Sequence, residues 1–449
     1  MTSPLYGGLF RRGGLKPVGS SYTVPKRTTS IHTTVEIPGS KSMTNRALLL
    51  AALSDRPVLL SNVSLSDDGR HFIECLRKLG FRTEADPELR QVKVYGLGGK
   101  VPNRKAVIHV GSAGTAARFL TAMLALSEGE FIVDASPQMK ARPMKPLIDS
   151  LTALGAKFEY LESPFSLPYR IRGTGFRGER VTLEANISSQ FLSALLLSGC
   201  NGPETLHIEI NGEVAAKPYV DMTIRMMQDF GVRVVNDGYR RFEIPQGQHY
   251  RGIDYWIEPD LSNACYFWAM AVLTGGSVTV RGSSLQSLQG DIRFLEVLKQ
   301  LGATVAETEE GVKVIGPENR KFPGIDLDLG DMPDQTMTVA AMAPFAEGPT
   351  VIRNVAIIKH HESNRLQAIV TELTKMGIRV EETGNGLIIY PGMPQPTVVE
   401  TYDDHRMAMA FALIGLRADG ITIANPECTA KTFAEYFEIF DRVVKEKNS

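Results

Sequence analysis

Basic side chains stand at the openings of several apolar segments of the sequence. Lys41 and Arg46 lie in PGSKSMTNRALLLAAL, and Arg118 lies in SAGTAARFL. Arg406 lies in DDHRMAMAFAL. Small polar residues at such openings are typical of helix N-termini, whose free backbone N–H groups and dipole attract anions. A fixed cation there opposes the dipole unless an anion neutralises it. The pattern therefore indicates an anionic ligand bound where several helices begin.

Further charged residues would suit the same cleft. Each cluster alone is equally compatible with a solvated surface loop or, for a carboxylate and a guanidinium three residues apart, with a surface ion pair. Only their combination with the helix openings favours a binding site. The residues concerned are Lys140, Arg142 and Lys145 in QMKARPMKP, Glu362 and Arg365 in HHESNRL, and Lys431 in ECTAKTF.

An internal repeat would position these openings. Five segments share an amphipathic helix, a glycine and a short strand, and consecutive glycines are separated by 71–76 residues. A glycine directly after a helix is a C-cap signal. The apolar segments alternate with this series and are apolar nearly all round, which marks buried helices. The five glycines are Gly80, Gly155, Gly231, Gly302 and Gly377.

The repeat predicts six copies of one unit, each with two helices and several strands. The period is longer than the 20–50 residues of most open repeat arrays. Two globular halves of three units therefore suit the sequence better than a solenoid. A repeat scaffold that only binds partners, without catalysis, is the alternative from a different functional class.

Composition excludes several other classes of protein. The chain has 449 residues, with 49 Lys+Arg against 50 Asp+Glu, so it has no bulk attraction to nucleic acid or to an acidic membrane. Its four cysteines are far apart and predict neither a disulfide framework nor a metal site. No apolar run is long enough for a transmembrane helix. Residues 1–32 contain basic but no acidic side chains, which predicts a mobile basic tail or, less favoured, a transit peptide.

Several motifs occur together in one order that is similar to a known family. They are PGSKSMTNRALLLAAL, SAGTAARFL, QMKARP, SSQFLSALL, KPYVDMT, DIRFLEVL, ESNRL, DDHRMAM and CTAKTF. Over about residues 30–440 the chain closely resembles the 5-enolpyruvylshikimate-3-phosphate synthase family. The resemblance implies an α/β fold, the two-domain inside-out α/β barrel of the enolpyruvyl transferases, with six βαβαββ-like repeats around buried helices. We expect an N-terminal lobe at 39–257 and a C-terminal lobe formed by 33–38 and 258–449.

The resemblance also implies a reaction. Phosphoenolpyruvate would donate its enolpyruvyl, or carboxyvinyl, group to the 5-hydroxyl of shikimate 3-phosphate, and phosphate would leave by addition and elimination. No metal or other cofactor is expected. The enzyme would serve the shikimate pathway to chorismate and aromatic amino acids. We expect a cytoplasmic monomer with no nucleic-acid or membrane partner, and a plastid or other organelle is the less favoured location.

Site residues follow from the resemblance at matching positions. Lys41 would act as a general acid, Asp334 would take the hydroxyl proton and Glu362 would handle the methylene proton. Phosphoenolpyruvate would be bound by Lys41, Gly114, Thr115, Arg142, Gln190, Arg365, Arg406 and Lys431. The acceptor would be bound by Ser42, Arg46, Ser188, Ser189, Gln190, Tyr219, Asp334 and His361.

The sequence departs from the family pattern in two places. Ser112 and Phe119 flank the phosphoenolpyruvate turn, where Asn and Pro are usual. On the acceptor side, Ala216, Ile357 and His361 stand where a hydroxyl residue, an amide and a lysine are usual. A neighbouring phosphate would favour the protonated form of His361. These changes leave open a paralogue whose acceptor is an unphosphorylated or otherwise altered shikimate-like molecule.

A related enolpyruvyl transferase acting on UDP-N-acetylglucosamine is disfavoured. That enzyme carries a loop cysteine shortly before the Arg–Pro matched here by Arg142 and Pro143. No cysteine lies between Cys75 and Cys200 in this chain. The loop therefore matches the shikimate enzymes better.

Overall fold

The computed structural model describes residues 21–200 and 202–445. Short strands are distributed along this whole length. In chain order they are β1 (Ser21–Thr23), β2 (His32–Val35), β3 (Pro57–Ser61), β4 (Thr83–Asp86), β5 (Gln91–Tyr95), β6 (Lys105–His109), β7 (Glu128–Asp134), β8 (Lys157–Tyr160), β9 (Tyr169–Thr174), β10 (Arg180–Glu184), β11 (Leu206–Asn211), β12 (Val235–Asp237), β13 (Arg241–Ile244), β14 (Tyr255–Trp256), β15 (Ser277–Arg281), β16 (Thr304–Thr308), β17 (Gly311–Ile315), β18 (Asp326–Asp328), β19 (Thr350–Arg353), β20 (Val380–Glu382), β21 (Leu387–Ile389), β22 (Thr397–Val399) and β23 (Ile421–Ala424).

Helices alternate with these strands, and none of the described helices is long and apolar enough to cross a membrane. The α-helices are α1 (Lys41–Leu53), α2 (Asp67–Lys78), α3 (Gly114–Ala125), α4 (Pro137–Lys140), α5 (Lys145–Ala153), α6 (Ser189–Gly199), α7 (Lys217–Asp229), α8 (Leu261–Thr274), α9 (Phe294–Gln300), α10 (Thr336–Met342), α11 (Arg365–Lys375), α12 (His405–Ala412) and α13 (Tyr436–Lys445). The 3₁₀ segments are Gly290–Arg293, Pro333–Gln335, Ala343–Phe345, Ala356–His360, Leu413–Leu416 and Pro426–Lys431.

The described strands form six small sheets that share one pairing scheme. In each four-stranded sheet, one parallel pair is followed by two antiparallel strands, as in the order β6-β7-β9-β8. The other four are β14-β3-β5-β4, β10-β11-β13-β12, β16-β17-β15-β2 and β18-β19-β21-β20. The sixth sheet, β1-β23-β22, has three strands. Six similar sheets with buried helices confirm the predicted fold class.

The molecule contains two separate hydrophobic cores. One core contains buried residues from Met43 to Ile257, and the other contains Val24, Ile31, Val35 and Ile37 together with residues 261–444. The helices α1, α3 and α6 lie in the first core, and α8, α10 and α12 lie in the second. We call the two parts the N-terminal lobe and the C-terminal lobe. Their connections pass side by side, because Gly39 forms a β-bridge with Pro259.

The repeat glycines end the outer helices as the sequence predicts. All five have a positive φ between 78° and 101°. Residues with a side chain adopt this region only at a steric cost, so glycine suits the point where each helix must reverse into its strand. The helices that they follow are α2, α5, α7, α9 and α11.

The N-terminal segment differs in part from the predicted basic tail. Residues 1–20 of that tail lie outside the described residues. Residues 21–32, by contrast, pack on the C-terminal lobe: β1 pairs antiparallel with β23, and Val24 and Ile31 are buried. The lack of acidic residues suggested a tail, but two apolar side chains and one free sheet edge suffice to hold this segment in place.

Candidate active site

A cavity lies between the two lobes, at the openings of the buried helices. Asp260, which begins α8, closes the gap between the lobes by accepting the backbone N–H of Lys41 at 2.9 Å. The other openings contribute side chains directly to the wall. They are Lys41, Ser42 and Arg46 from α1, Thr115 and Arg118 from α3, Ser188, Ser189 and Gln190 from α6, Pro333 and Asp334 before α10, and His405 and Arg406 from α12.

Side-chain caps fix where these helices begin. The Ser40 hydroxyl accepts the N–H of Met43, and the Ser188 hydroxyl accepts the N–H of Gln190 at 3.3 Å. A carboxylate oxygen of Asp404 accepts the N–H of Arg406 at 3.0 Å. Each cap satisfies one free backbone donor and leaves the following side chain at the cavity wall.

Most of the predicted site residues line this cavity. They are Lys41, Ser42, Arg46, Thr115, Arg142, Ser188, Ser189, Gln190, Tyr219, Asp334, His361, Glu362 and Arg406. Three others stand behind the wall: Gly114, Arg365 and Lys431. The structure thus brings the predicted set together, although its parts come from positions as far apart in sequence as 41 and 431.

Gly114 supports the guanidinium of Arg142 from behind. A Cβ atom at Gly114 would lie 2.7 Å from Nη1 of Arg142 and 3.1 Å from Nη1 of Arg118. Any side chain at this position would therefore displace both guanidinium groups. Arg142 Nη1 also lies 3.7 Å from Oε1 of Glu362, which belongs to the other lobe.

Arg365 is fully buried and organises three carboxylates. Its Nη1 donates to Asp334 at 2.7 Å, its Nη2 donates to Glu362 at 2.8 Å, and its Nε donates to Asp404 at 2.8 Å. Two predicted proton-transfer residues, Asp334 and Glu362, are therefore held by one guanidinium. Burial opposes the charge of Arg365, but the three carboxylates offset this and raise its pKa above the ordinary value.

The two carboxylates that line the cavity are ionised in the free site. Burial acts to raise the pKa of Asp334, but the charges of Arg406 and Arg365 outweigh it and hold that pKa well below its ordinary value. Glu362 behaves in the same way, because Arg365 and Arg142 outweigh the effect of burial on its pKa. Both carboxylates are therefore ready to accept a proton, but the surrounding cations make them weak bases.

Two guanidinium groups in the wall lack an acidic partner. No carboxylate in residues 21–200 and 202–445 forms an ion pair with Arg46 or Arg118. Burial lowers the pKa of Arg46 to about 10 and lowers that of Arg118 well below its ordinary value. Arg46 lies over the Phe119 ring, 5.2 Å from its centroid, which supplies part of the missing stabilisation. Buried cations without counter-charges indicate that an anionic ligand completes the site.

Each of these arginines has at least one N–H group left that can donate a hydrogen bond to a ligand. Nε of Arg46 donates to Thr223 at 2.7 Å, Nη1 donates to the Ser42 carbonyl, and Nη2 donates to Ser193 and to the Tyr219 carbonyl. One N–H of Nη1 therefore remains. Arg118 donates through Nη1 to the Gln190 side chain at 2.6 Å and through Nη2 to the Pro143 carbonyl at 3.1 Å, so one N–H of each terminal nitrogen remains.

Two lysines from opposite lobes meet at one buried carboxylate. Asp68, in the first turn of α2, lies 3.4 Å from Nζ of Lys41 and 3.8 Å from Nζ of Lys431. Lys431 also donates to the hydroxyl and the carbonyl of Ser112, at 2.7 and 2.8 Å. Ser112, where the sequence departs from the family pattern, thus contacts the other lobe directly.

His361 is neutral in the free site. Its Nδ1 lies 3.0 Å from Nη1 of Arg365, and because a guanidinium only donates, Nδ1 accepts and the ring proton resides on Nε2. Burial lowers the pKa of His361, and the neighbouring Asp334, 3.6 Å away, offsets this only in part. The protonated form considered from the sequence is therefore not the state of the free site.

Several residues of the site escaped the sequence reasoning. Asp68 and Asp404 resemble ordinary helix-start carboxylates, and Gln138 donates to the backbone carbonyl of Glu362 from the other lobe at 3.0 Å. His405 is buried at the wall, and neither of its ring nitrogens has a hydrogen-bond partner among the described residues. The motif DDHRMAM contained the only available signal for Asp404 and His405.

The arrangement suits a small polyanion and proton transfer. Five cationic side chains line the cavity against two carboxylates, so the wall carries an excess of positive charge. A lysine and two carboxylates at its edge provide an acid and bases. Among the described residues, no group of three or more His, Cys, Asp or Glu side chains is placed to hold a metal ion.

Comparison with known proteins gives one consistent family. A family model described as EPSP synthase (3-phosphoshikimate 1-carboxyvinyltransferase) matches residues 25–440. A 3-phosphoshikimate 1-carboxyvinyltransferase of Trichormus variabilis is 46% identical over 421 residues, 94% of this chain and 98% of that protein. One of Serratia proteamaculans is 42% identical over 416 residues, 92% of this chain and 96% of that protein.

Solved structures agree with the sequence comparisons. An EPSP synthase from Acinetobacter baumannii has a TM-score of 0.80 and 25% identity, covering 94% of this chain and 98% of that one. The enolpyruvyl transferase NikO from Streptomyces tendae has a TM-score of 0.75 and 17% identity, covering 95% and 98% of the two chains. At that identity the second likeness is one of fold.

Proposed function

The chain belongs to the EPSP synthase family, and we propose how the site between its lobes carries out the reaction of that family. The enzyme transfers the enolpyruvyl group of phosphoenolpyruvate to the 5-hydroxyl of shikimate 3-phosphate and releases phosphate. The assignment of this site rests on two buried guanidinium groups, those of Arg46 and Arg118, which line the cavity and have no acidic partner in the described part of the chain. Both substrates are anions that would supply the missing charge.

Phosphoenolpyruvate binds at the more cationic end of the cavity. Arg142, Arg406 and Lys41 line this end, and Arg365 and Lys431 stand directly behind it. Planar guanidinium groups pair with both carboxylate and phosphate through two parallel hydrogen bonds. To do so, Arg142 and Arg406 exchange their present partners, Glu362 and Asp334, for substrate oxygens.

This exchange prepares the two carboxylates for proton transfer. In the free site the arginines hold the pKa values of Asp334 and Glu362 low. When substrate anions take over the guanidinium groups, the carboxylates lose part of that stabilisation and become stronger bases. The substrate thus activates the bases that act on it.

The reaction proceeds by addition and then elimination. In the addition, Asp334 takes the proton of the acceptor hydroxyl, whose oxygen bonds to C2 of phosphoenolpyruvate while C3 gains a proton from Lys41. In the elimination, Glu362 removes a proton from the new methyl group, the C–O bond to phosphate breaks, and the proton that Asp334 took is passed to the departing phosphate. Return of the proton from Glu362 to Lys41 restores the free site. Proton transfer by a positioned side chain contributes about 10²–10⁴ in rate.

Tyr219 and Arg46 orient the acceptor for this step. The Tyr219 hydroxyl donates to Asp334 at 3.4 Å across the lobes, and burial raises the pKa of Tyr219, so it remains a donor. Arg46 has one free N–H for the acceptor carboxylate. Ser188, Ser189 and Gln190 line the remaining side of the acceptor end.

We also infer that the enzyme acts as a monomer in the cytoplasm. Its relatives in Trichormus variabilis and Serratia proteamaculans are bacterial, and one chain contains every residue of the site described here. Light scattering coupled to gel filtration tests the first part, where a mass near 49.3 kDa is expected and twice that mass would contradict it.

Phosphate release tests the assignment of the function. Phosphate should appear from phosphoenolpyruvate only when an acceptor is present, in amounts equal to the enolpyruvyl ether formed. In deuterated water, the vinyl group of the product should acquire deuterium, because addition makes a methyl group before elimination. Phosphate release at the same rate without an acceptor, or a product free of deuterium, would contradict the mechanism.

A further inference from the structure

A buried carboxylate behind the active site has no cation beside it. Asp291 lies in the 3₁₀ segment Gly290–Arg293 and is 4% exposed. Its Oδ2 accepts the hydroxyl of Ser262 at 2.8 Å, and its Oδ1 accepts the side-chain amide of Gln335 at 2.7 Å. No Lys, Arg or His side chain in the described part of the chain forms an ion pair with it. Asp291 thus differs from the three carboxylates that Arg365 holds.

The role of Asp291 is that of a hydrogen-bond acceptor. Burial raises the pKa of Asp291, and the charge of Arg406 offsets this only in part. A buried charge without a counter-ion costs free energy that an apolar side chain would not cost. An apolar residue, however, would leave the amide of Gln335 with only the Ser262 carbonyl, 3.5 Å away. The position therefore requires an acceptor for that amide.

The start of α8 does not depend on this carboxylate. Asp260 caps that helix by accepting the N–H of Asn263 at 3.0 Å. The hydrogen bond from Ser262 to Asp291 is thus added to a helix start that is already capped. Its effect is to tie Asp291, and through it Gln335, to the first turn of α8.

Gln335 directly follows Asp334, to which we assign the proton of the acceptor hydroxyl. Both belong to the 3₁₀ segment Pro333–Gln335, but Asp334 lines the cavity whereas Gln335 is fully buried. The side chain of Gln335 is held at both polar atoms, because its Oε1 also accepts the hydroxyl of Thr338 at 3.0 Å. Since one planar peptide bond joins the two residues, an anchored Gln335 restricts the backbone of Asp334.

This anchor becomes important when the substrates bind. In the free site the carboxylate of Asp334 forms ion pairs with Arg365 and Arg406. In the reaction proposed above, Arg406 exchanges Asp334 for a substrate oxygen, so only Arg365 remains of these two partners. A general base must lie about 2.6–3.2 Å from the atom that gives up the proton, and a displacement of about 1 Å costs about 10² in rate. The backbone of Asp334 must therefore be held in place at that stage.

We propose that Asp291 is a positioning residue for proton transfer: its carboxylate holds Gln335, and Gln335 holds Asp334 within reach of the acceptor hydroxyl. The proposal rests on the proposed function and deepens it. Asp291 is not part of the cavity wall, so it acts through Gln335 and not by binding a substrate. Its removal should therefore lower kcat and leave the affinity for the acceptor unchanged.

The test measures kcat per binding site in Asp291→Ala. This substitution removes both hydrogen bonds, and we expect kcat to fall by about 10-fold to 100-fold. Calorimetry with shikimate 3-phosphate gives the number of binding sites and the dissociation constant, which should stay within about 3-fold of the unaltered value. A kcat within about 3-fold of that of the unaltered protein would overturn the proposal. So would binding that is weakened as much as kcat is lowered.

Asp291→Asn is the matched conservative variant. Its oxygen can accept the amide of Gln335, and its own amide can donate to the hydroxyl of Ser262, so both hydrogen bonds persist without the charge. We expect this variant to keep kcat within about 5-fold of the unaltered protein. An Asp291→Asn variant as slow as Asp291→Ala would overturn the proposal, because the charge rather than the hydrogen bonds would then determine the rate.

Two further variants separate position from stability. Val297→Ala removes buried methyl groups from α9 in the same core but no hydrogen bond, so it should lower the melting temperature and leave kcat unchanged while the protein is folded. If Asp291→Ala does not fold, Gln335→Met replaces it in the test. Gln335→Met removes the same anchor at a similar side-chain length and should lower kcat likewise, and normal turnover in this variant would overturn the proposal.

The unaltered protein separates a failure of this proposal from a failure of the proposed function. If it releases no phosphate from phosphoenolpyruvate with shikimate 3-phosphate, the proposed function is wrong and the positioning role falls with it. If it releases phosphate and Asp291→Ala turns over normally, only the positioning role is wrong. We expect phosphate release by the unaltered protein, a slow Asp291→Ala variant and a nearly normal Asp291→Asn variant.

Discussion

Glu362 and Arg142 belong to opposite lobes, and Oε1 of the glutamate lies 3.7 Å from Nη1 of the arginine. Other contacts also cross between the lobes, from Tyr219 to Asp334 and from Lys431 to Ser112. In the free site, carboxylates of the protein therefore take the place that substrate anions would occupy. The same charged side chains thus hold the lobes together in the free site and would bind the substrates.

Substrates should therefore draw the lobes together. Cations of both lobes line the cavity in excess over carboxylates, so an anion between them relieves repulsion that otherwise favours opening. We expect small-angle scattering to show a smaller radius of gyration with shikimate 3-phosphate and an unreactive phosphoenolpyruvate analogue than without ligands. An equal radius with both ligands at saturation would count against this account.

The three residues to which we assign proton transfer should matter more for turnover than for folding. Lys41→Met, Asp334→Ala and Glu362→Gln should each lower kcat by about 10²–10⁴. All three variants should remain folded at the assay temperature, although the two carboxylate variants should melt at a lower temperature because each deprives a buried arginine of a partner. Glu438→Gln, at an exposed position of α13, is the matched control and should keep normal turnover. Near-normal rates in all three site variants would show that the assigned roles are wrong.

Asp68 should position the two lysines that it contacts. Asp68→Asn removes a buried negative charge that competes with substrate for Lys41 and Lys431. We expect a lower KM for phosphoenolpyruvate together with a lower kcat, because the ammonium groups become more available but less well placed. If Asp68 had a purely structural role, Asp68→Asn would change the melting temperature without lowering both KM and kcat.

The neighbouring carboxylate provides the control for that experiment. Asp67 also lies in the first turn of α2, but it is exposed. Asp67→Asn removes the same charge from the same helix terminus and should change both kinetic constants much less, because among the described residues only Asp68 forms ion pairs with these two lysines. Equal effects of the two substitutions would assign the result to the helix terminus rather than to the lysines.

Acid should destabilise the free enzyme through its buried carboxylates. The folded-state pKa values of Asp334, Glu362 and Asp404 lie below their ordinary values, because nearby arginines outweigh the effect of burial. The stability that they contribute is complete above the unfolded-state pKa of about 4 and is lost as the pH falls through the folded-state values. Thermal melts from pH 7 to pH 3 should show this loss, and Asp334→Asn should make it shallower. A melting temperature that is flat below pH 4 would contradict the assignment.

Much of the fold could be predicted because its repeat is local. The helix-ending glycines, such as Gly80 and Gly377, and the polar openings are signals within single segments, and each predicts one helix boundary. The strand Ser21–Thr23 was missed because three residues have no periodicity of their own. Only the free edge of Ile421–Ala424, about 400 residues away, makes them a strand.

The residues that line the cavity could be predicted from the sequence where a residue type is unusual for its position, but not where it is ordinary. Lys41 and Arg406 oppose a helix dipole, so the sequence marks them as candidates for binding an anion. Asp68 satisfies the dipole at its own helix, so the sequence gives no hint that two lysines of different lobes approach it. The burial of Arg365 behind the carboxylates likewise depends on the packing of three separate segments.

The central claim is that the enzyme transfers enolpyruvyl to shikimate 3-phosphate by breaking the C–O bond of phosphoenolpyruvate. The fate of the oxygen between carbon and phosphorus tests this claim most directly. Phosphoenolpyruvate labelled with ¹⁸O in the oxygen between carbon and phosphorus should be incubated with the enzyme and shikimate 3-phosphate. The account predicts that C–O cleavage carries the label into the released phosphate and that the product ether has unlabelled oxygen from the acceptor. Label that remains on carbon in pyruvate, with phosphate released regardless of the acceptor, would contradict it.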